Sequence, residues 1–148
     1  MAIDKNYGEI MKKIFFTILS LLITANIAFC TTNSYDRYGS KTGSYSQSGT
    51  TINHYDRYGS KVGSYQQTSS GYTSYDKYGS KTGSYRKTSS GYNSYDKYGN
   101  KTGSFRTNSS GVTTQYDRYG AKVGSFKTDS SGRTVQYDKF GAKVGSFR

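Results

Sequence analysis

Residues 75–85 read Tyr-Asp-Lys-Tyr-Gly-Ser-Lys-Thr-Gly-Ser-Tyr. Asp76 to Gly79 is a turn signal. An Asp side chain accepts hydrogen bonds from the main chain just after it, and Gly tolerates the left-handed conformation that closes a hairpin with a bulge. A second turn signal, Ser-Ser-Gly, stands at Ser69–Gly71 and Ser109–Gly111. Between the two signals lie short segments rich in Thr, Val, Tyr and Phe, such as Lys61–Gln66 and Thr113–Tyr116. Such residues favour strands, and no stripe with a 3.6-residue period competes. The stretch predicts a β-hairpin.

The same formula recurs from Tyr35, Tyr55, Tyr75, Tyr95, Tyr116 and Tyr137, at spacings of 20, 20, 20, 21 and 21. Its turn pairs are Asp36/Gly39, Asp56/Gly59, Asp76/Gly79, Asp96/Gly99, Asp117/Gly120 and Asp138/Gly141. Six hairpins give about twelve strands. One hairpin is unstable alone, so neighbours must stack, and an open array would leave two adhesive edges. No repeat has the character of a cap. The expected fold is all-β: six tandem hairpin repeats closing into a shallow, pseudo-six-fold barrel. The segment before Tyr35 would meet the strand ending at Phe147. The repeats fill residues 31–148 as one domain, with residues 1–30 as a leader.

Composition agrees with this formula and excludes an ordinary enzyme core. Residues 31–148 contain no Leu, Met or Glu, and their larger aliphatics are Ile52, Val62, Val112, Val123, Val135 and Val144. Six such residues cannot build an aliphatic core, so the core must be rings packed on glycine. Alternation puts Lys61, Gly63 and Tyr65 on one strand face and Val62 and Ser64 on the other. Gly63 would leave a shelf beside Tyr65 for a neighbouring ring. The equivalent aromatics are Tyr45, Tyr65, Tyr85, Phe105, Phe126 and Phe147. They read as core packing or, alternatively, as an exposed row for stacking on a ligand.

The leader has its own logic. Lys12 and Lys13 precede an apolar run from Ile14 to Ile23, followed by small residues at Ala25 and Ala28. This is a secretory signal peptide, a helix outside the domain. Asp4 and Glu9 stand where such a signal carries positive charge, so translation is expected to start at Met11. Cys30 is the sole cysteine. It is either the last residue removed or a lipidated first residue that would tie the chain to a membrane.

Catalytic groups are sparse. His54 is the only histidine, and a lone His beside a turn reads as a surface residue. The six motif Asp residues recur at turns next to cations, which suits a structural role better than acid–base work or a metal cage. No enzyme activity, cofactor or metal is expected. The cations are more telling. Arg37, Arg57, Lys77, Lys97, Arg118 and Lys139 hold one motif position, and Lys41, Lys61, Lys81, Lys101, Lys122 and Lys143 another. Closure would gather them into two basic bands that attract polyanions. Basic charge interleaved with aromatics also suits single-stranded nucleic acid, but an export signal argues against that partner.

The repeats behind a signal peptide resemble the bacterial β-flower family over residues 35–148. That resemblance implies petal-like hairpins closing a shallow barrel, a six-petalled member, and an envelope location. It implies no particular activity. Choline-binding repeats share the period, but their Trp signature is missing. The expected function is a non-enzymatic envelope or secreted protein whose basic, Tyr-rich surface binds an anionic lipid or cell-wall polymer, or acts structurally. The alternative is a glycan-binding module that stacks Tyr rings on sugars.

Overall fold

The computed structural model describes residues 31–148. The expected signal peptide, the expected start at Met11 and the fate of Cys30 lie outside the described residues. Twelve antiparallel strands follow one another: β1 (Thr31–Asp36), β2 (Lys41–Ser48), β3 (Thr51–Asp56), β4 (Lys61–Thr68), β5 (Gly71–Asp76), β6 (Lys81–Thr88), β7 (Gly91–Asp96), β8 (Lys101–Thr107), β9 (Val112–Asp117), β10 (Lys122–Thr128), β11 (Thr134–Asp138) and β12 (Lys143–Phe147). Each pairs with its sequence neighbours, and β1 pairs with β12 to close the barrel. The closing register is Ser34 opposite Phe147, Tyr35 opposite Ser146 and Asp36 opposite Gly145. Reciprocal main-chain bonds between Asn33 and Arg148, 2.8 and 3.0 Å, extend that seam. Among the described residues, closure leaves no free strand edge.

The six motif turns form one rim, called upper here. In the first, Asp36 Oδ1 accepts from the N–H groups of Tyr38 and Ser40, both at 2.9 Å. Gly39 N–H donates to the Asp36 carbonyl at 3.2 Å, and Gly39 takes φ +87°. Asp56, Asp76, Asp96, Asp117 and Asp138 repeat this arrangement. Their glycine partners Gly59, Gly79, Gly99, Gly120 and Gly141 repeat the left-handed backbone, at φ +85°, +86°, +91°, +87° and +91°. All six turn glycines are exposed, and a Cβ on any of them would meet nothing within 4 Å. Backbone conformation alone therefore asks for glycine here. These residues shape the rim and take no part in the packed interior.

The lower rim has two kinds of turn. Three are two-residue connections, at 49–50, 69–70 and 89–90. The other two are longer and reuse the upper-rim device. Asn108 Oδ1 accepts from the N–H groups of Ser110 and Val112, at 3.1 and 3.0 Å. Asp129 Oδ1 does the same for Ser131 and Arg133, both at 3.0 Å. Gly111 and Gly132 take φ +73° and +79°. These longer turns contain the extra residue behind the two 21-residue spacings.

A bulge follows every upper turn. Tyr55 lies opposite Lys61 but His54 opposite Gly63, so Val62 is an extra residue. Paired residues share a face, and adjacent residues on one strand do not. Lys61 therefore faces outward with Tyr55, while Gly63 and Tyr65 face inward. This corrects the simple alternation, which put Lys61 on the face of Gly63 and Tyr65. The glycine shelf is also corrected. A Cβ on Gly43 would lie 2.4 Å from the Tyr55 carbonyl oxygen, and one on Gly145 2.8 Å from that of Tyr35. Backbone, not a ring, fills the space, and glycine permits the close approach that curves the sheet.

The interior has three layers. Tyr45, Tyr65, Tyr85, Phe105, Phe126 and Phe147 form the middle one, at 1–9% exposure. Below them stand Thr32, Ile52, Tyr72, Tyr92, Thr113 and Thr134. Above them stand Ser34, His54, Ser74, Ser94, Gln115 and Gln136. The core is thus an aromatic plug with a polar layer on its upper side.

Candidate functional site

The upper rim gathers most of the exposed chemistry. Tyr38, Tyr58, Tyr78, Tyr98, Tyr119 and Phe140 occupy the turn tips and are 78–84% exposed. Each ring carries the charge of the residue before it. The Arg37 and Arg118 guanidinium carbons lie 4.6 Å from the ring centroids of Tyr38 and Tyr119, and Arg57 lies 5.9 Å from Tyr58. Lys77 and Lys97 stand 4.9 Å from Tyr78 and Tyr98, and Lys139 4.8 Å from Phe140. Arg37 and Arg118 also donate to the hydroxyls of those same tyrosines. An exposed cation–π pair contributes about 0.5–1 kcal/mol, so these pairs orient the tips more than they stabilise the fold.

Lys41, Lys61, Lys81, Lys101, Lys122 and Lys143 begin the strands that leave this rim, and all are exposed. The two basic sets therefore lie at one end of the barrel. Six Asp residues share that end, leaving a net excess of six positive charges. Their carboxylates are engaged in the turns. Hydrogen bonding, led by the Asn100 side chain, holds Asp96 below the usual carboxylate range.

Below the rim, the barrel interior opens into a cavity of about 680 Å³. Tyr65, Tyr85 and Phe105 line its depth, and Ser74, Ser94, Thr82 and Thr102 its wall. Asp76, Asp96, Asp117, Asn100, Lys101 and Arg118 stand toward the mouth. The middle aromatic row is thus buried core, not an exposed stacking row.

His54 is not a surface residue. It is 5% exposed in β3 and stacks on Tyr45, with ring centroids 4.3 Å apart and planes within 4°. Burial pushes its pKa down to about 4, against an opposing pull from Asp56. The imidazole is therefore neutral at pH 7. Burial likewise drives the phenols of Tyr45, Tyr65 and Tyr85 upward, and Tyr72 is pushed up to about 12. Among the described residues, no three His, Cys, Asp or Glu side chains come together as a metal site would need.

The tip aromatics are the site residues that strand-based reading passes over. Their signal is present in the sequence: a ring sits between a cation and a glycine inside a turn in all six repeats, where no core can receive it. No protein-family model matches the chain, and no curated protein matches it either.

Proposed function

We propose that the chain is a non-enzymatic, exported module of the bacterial envelope, a six-petalled member of the β-flower family. Its upper rim docks on an anionic bilayer surface. One observation carries this reading. The turns at Asn108 and Asp129 are built with the same hydrogen bonds as the motif turns, yet hold Ser-Ser where the motif holds a cation and a ring. The turn itself needs neither group. Their six-fold presence on one rim, at 78–84% ring exposure, answers to something outside the chain. Amphipathic rings sit at the head-group level of a bilayer, and each nearby cation adds about 1 kcal/mol toward anionic lipid.

Chain direction adds a constraint. Strand β1 enters from the lower rim at Thr31, directly after Cys30. A lipid on Cys30 would seat the lower rim on its own leaflet and aim the upper rim away from it. The rim reading therefore goes with cleavage after Cys30.

Flotation with phosphatidylglycerol-containing and purely phosphatidylcholine vesicles tests the proposal. Binding is expected only to the anionic vesicles, falling roughly tenfold between about 50 and 300 mM salt. Replacing all six tip aromatics by Ser is expected to cut affinity roughly 100-fold in a barrel that still folds, its stability lowered by no more than the roughly 0.5–1 kcal/mol of each lost cation–π pair. Equal binding to neutral vesicles, or a six-fold variant that binds as before, refutes it. Selective retention on cell-wall polymer instead of vesicles would move the partner to that polymer.

A further inference from the structure

The barrel is six-fold in its rim but not in its interior, and the departure is patterned. Where the upper layer holds Ser, the bulge residue is Thr: Ser34 with Thr42, Ser74 with Thr82, Ser94 with Thr102. Where it holds a large side chain, the bulge residue is Val: His54 with Val62, Gln115 with Val123, Gln136 with Val144. The large residues occupy space that the Ser–Thr pairs leave open. Only the third and fourth repeats place two Ser–Thr pairs side by side, and the 680 Å³ cavity lies against them. His54 and Gln115 bound it on either side.

From this arrangement we infer that the cavity is a binding site for one uncharged, hydroxyl-rich ring compound, a saccharide of one or two units. The volume falls within the roughly 300–1,000 Å³ of small-molecule sites. Ser74 Oγ accepts from Thr82 Oγ1 at 2.9 Å, and Ser94 Oγ from Thr102 Oγ1 at 3.0 Å. Each serine thereby keeps its own hydroxyl hydrogen to donate. Gln115 brings an amide that both donates and accepts. Asn100 Nδ2 is held by Asp96 Oδ2 at 2.9 Å, which leaves the Asn100 oxygen as an acceptor at the mouth. Tyr65, Tyr85 and Phe105, only 3–9% exposed, close the bottom of the cavity, so the polar wall and not ring stacking would hold the ligand. Polar walls disfavour an acyl chain, and three carboxylates against two cations at the mouth give an anion no advantage. The site uses residues other than the rim aromatics and stands whether or not the rim meets a membrane.

Titration calorimetry of the exported chain with cellobiose, N,N′-diacetylchitobiose and inorganic phosphate tests this. A saccharide is expected to bind with a dissociation constant on the order of 0.1–1 mM, and phosphate not at all. The variant S74Q/T82V/S94Q/T102V copies the Gln–Val pairs that two other repeats already carry. It is expected to keep its melting temperature and vesicle binding while losing saccharide affinity at least tenfold. The smaller S94Q/T102V change serves if the fourfold variant does not fold. No saccharide binding up to about 20 mM, tighter binding of phosphate, or undiminished affinity in the filled variants overturns the inference.

Discussion

On the upper rim, Asp117-Arg118-Tyr119-Gly120-Ala121 turns the chain between β9 and β10. On the lower rim, Asn108-Ser109-Ser110-Gly111-Val112 turns it between β8 and β9. In both, one side-chain oxygen accepts from the second and fourth following N–H groups, at 2.8 and 2.9 Å above and 3.1 and 3.0 Å below. In both, glycine is left-handed, at φ +87° and +73°. The capping residue changes only from Asp to Asn, and the chief difference is the pair between cap and glycine, Arg118-Tyr119 above and Ser109-Ser110 below. The device that folds the chain is therefore separable from the surface it displays. The lower rim also tolerates a different device, since three of its turns have only two residues. The upper rim repeats one solution six times.

If each rim surface is independent of the fold, the strongest change in stability should come from between the rims. His54 is neutral when buried, with its pKa lowered to about 4 from 6.5. Above pH 6.5 it is neutral both folded and unfolded, so its titration costs nothing there. As pH falls from 6.5 toward 4, the unfolded chain takes up a proton that the folded chain refuses. The fold then loses about 3 kcal/mol, and the loss levels off below pH 4. The lowered carboxyls of Asp96 and Asp129 act in a lower window that meets that of His54 below about pH 5, their stabilisation being present above that and lost as pH falls further. Denaturant melts of the H54S/V62T variant, which copies the Ser74–Thr82 pair, should show no slope between pH 6.5 and about 5, above the range where the carboxyls begin to titrate. An unchanged slope in that variant would assign the effect elsewhere.

Most of the fold was legible because the repeat fixes it. The Asp and Gly of each turn, the strand segments between turns and the absence of a capping repeat together imply twelve strands in a ring. What escaped reading depends on register. The residue at Val62 reads as one more alternating position until pairing shows it to be a bulge, and that shift carries Lys61 to the outer face. Gly63 reads as room for a ring, yet the Tyr75 carbonyl, 2.7 Å from where a Cβ would stand, comes from the next hairpin. Gly59, four residues earlier, is the contrasting case: its role is local to one turn, so the sequence around it suffices. His54 reads as a surface residue because nothing local announces Tyr45 across the sheet. The cavity is hidden for the same reason. It depends on which repeats are neighbours in the ring and which pairs are small.

The two rims should respond alike when the shared device is removed. Asp117→Ala and Asn108→Ala each withdraw one oxygen from two main-chain N–H groups. Each is expected to cost about 1–2 kcal/mol, with the two values within about 0.5 kcal/mol of each other by thermal melts. A much larger cost on the upper rim would mean that the cation and ring are part of the turn's stability.

Exchanging the two display residues asks the opposite question, with a smaller effect on stability. K97S/Y98S gives an upper turn the lower pair, and S109K/S110Y gives a lower turn the upper pair. Exposed substitutions of this kind, the lost Lys97–Tyr98 cation–π pair included, shift stability by no more than about 1 kcal/mol. Their effects on vesicle binding should differ. If six equivalent tips contribute additively to a roughly 100-fold effect, one tip accounts for about twofold, its sixth root. K97S/Y98S should therefore weaken binding about twofold. S109K/S110Y should leave it unchanged, because the new pair stands on the rim turned away from the bilayer. Abolition of binding by the single upper exchange would replace the ring of equal contacts with one dominant tip. A gain from the lower exchange would mean that charge alone, regardless of rim, draws the chain to the surface.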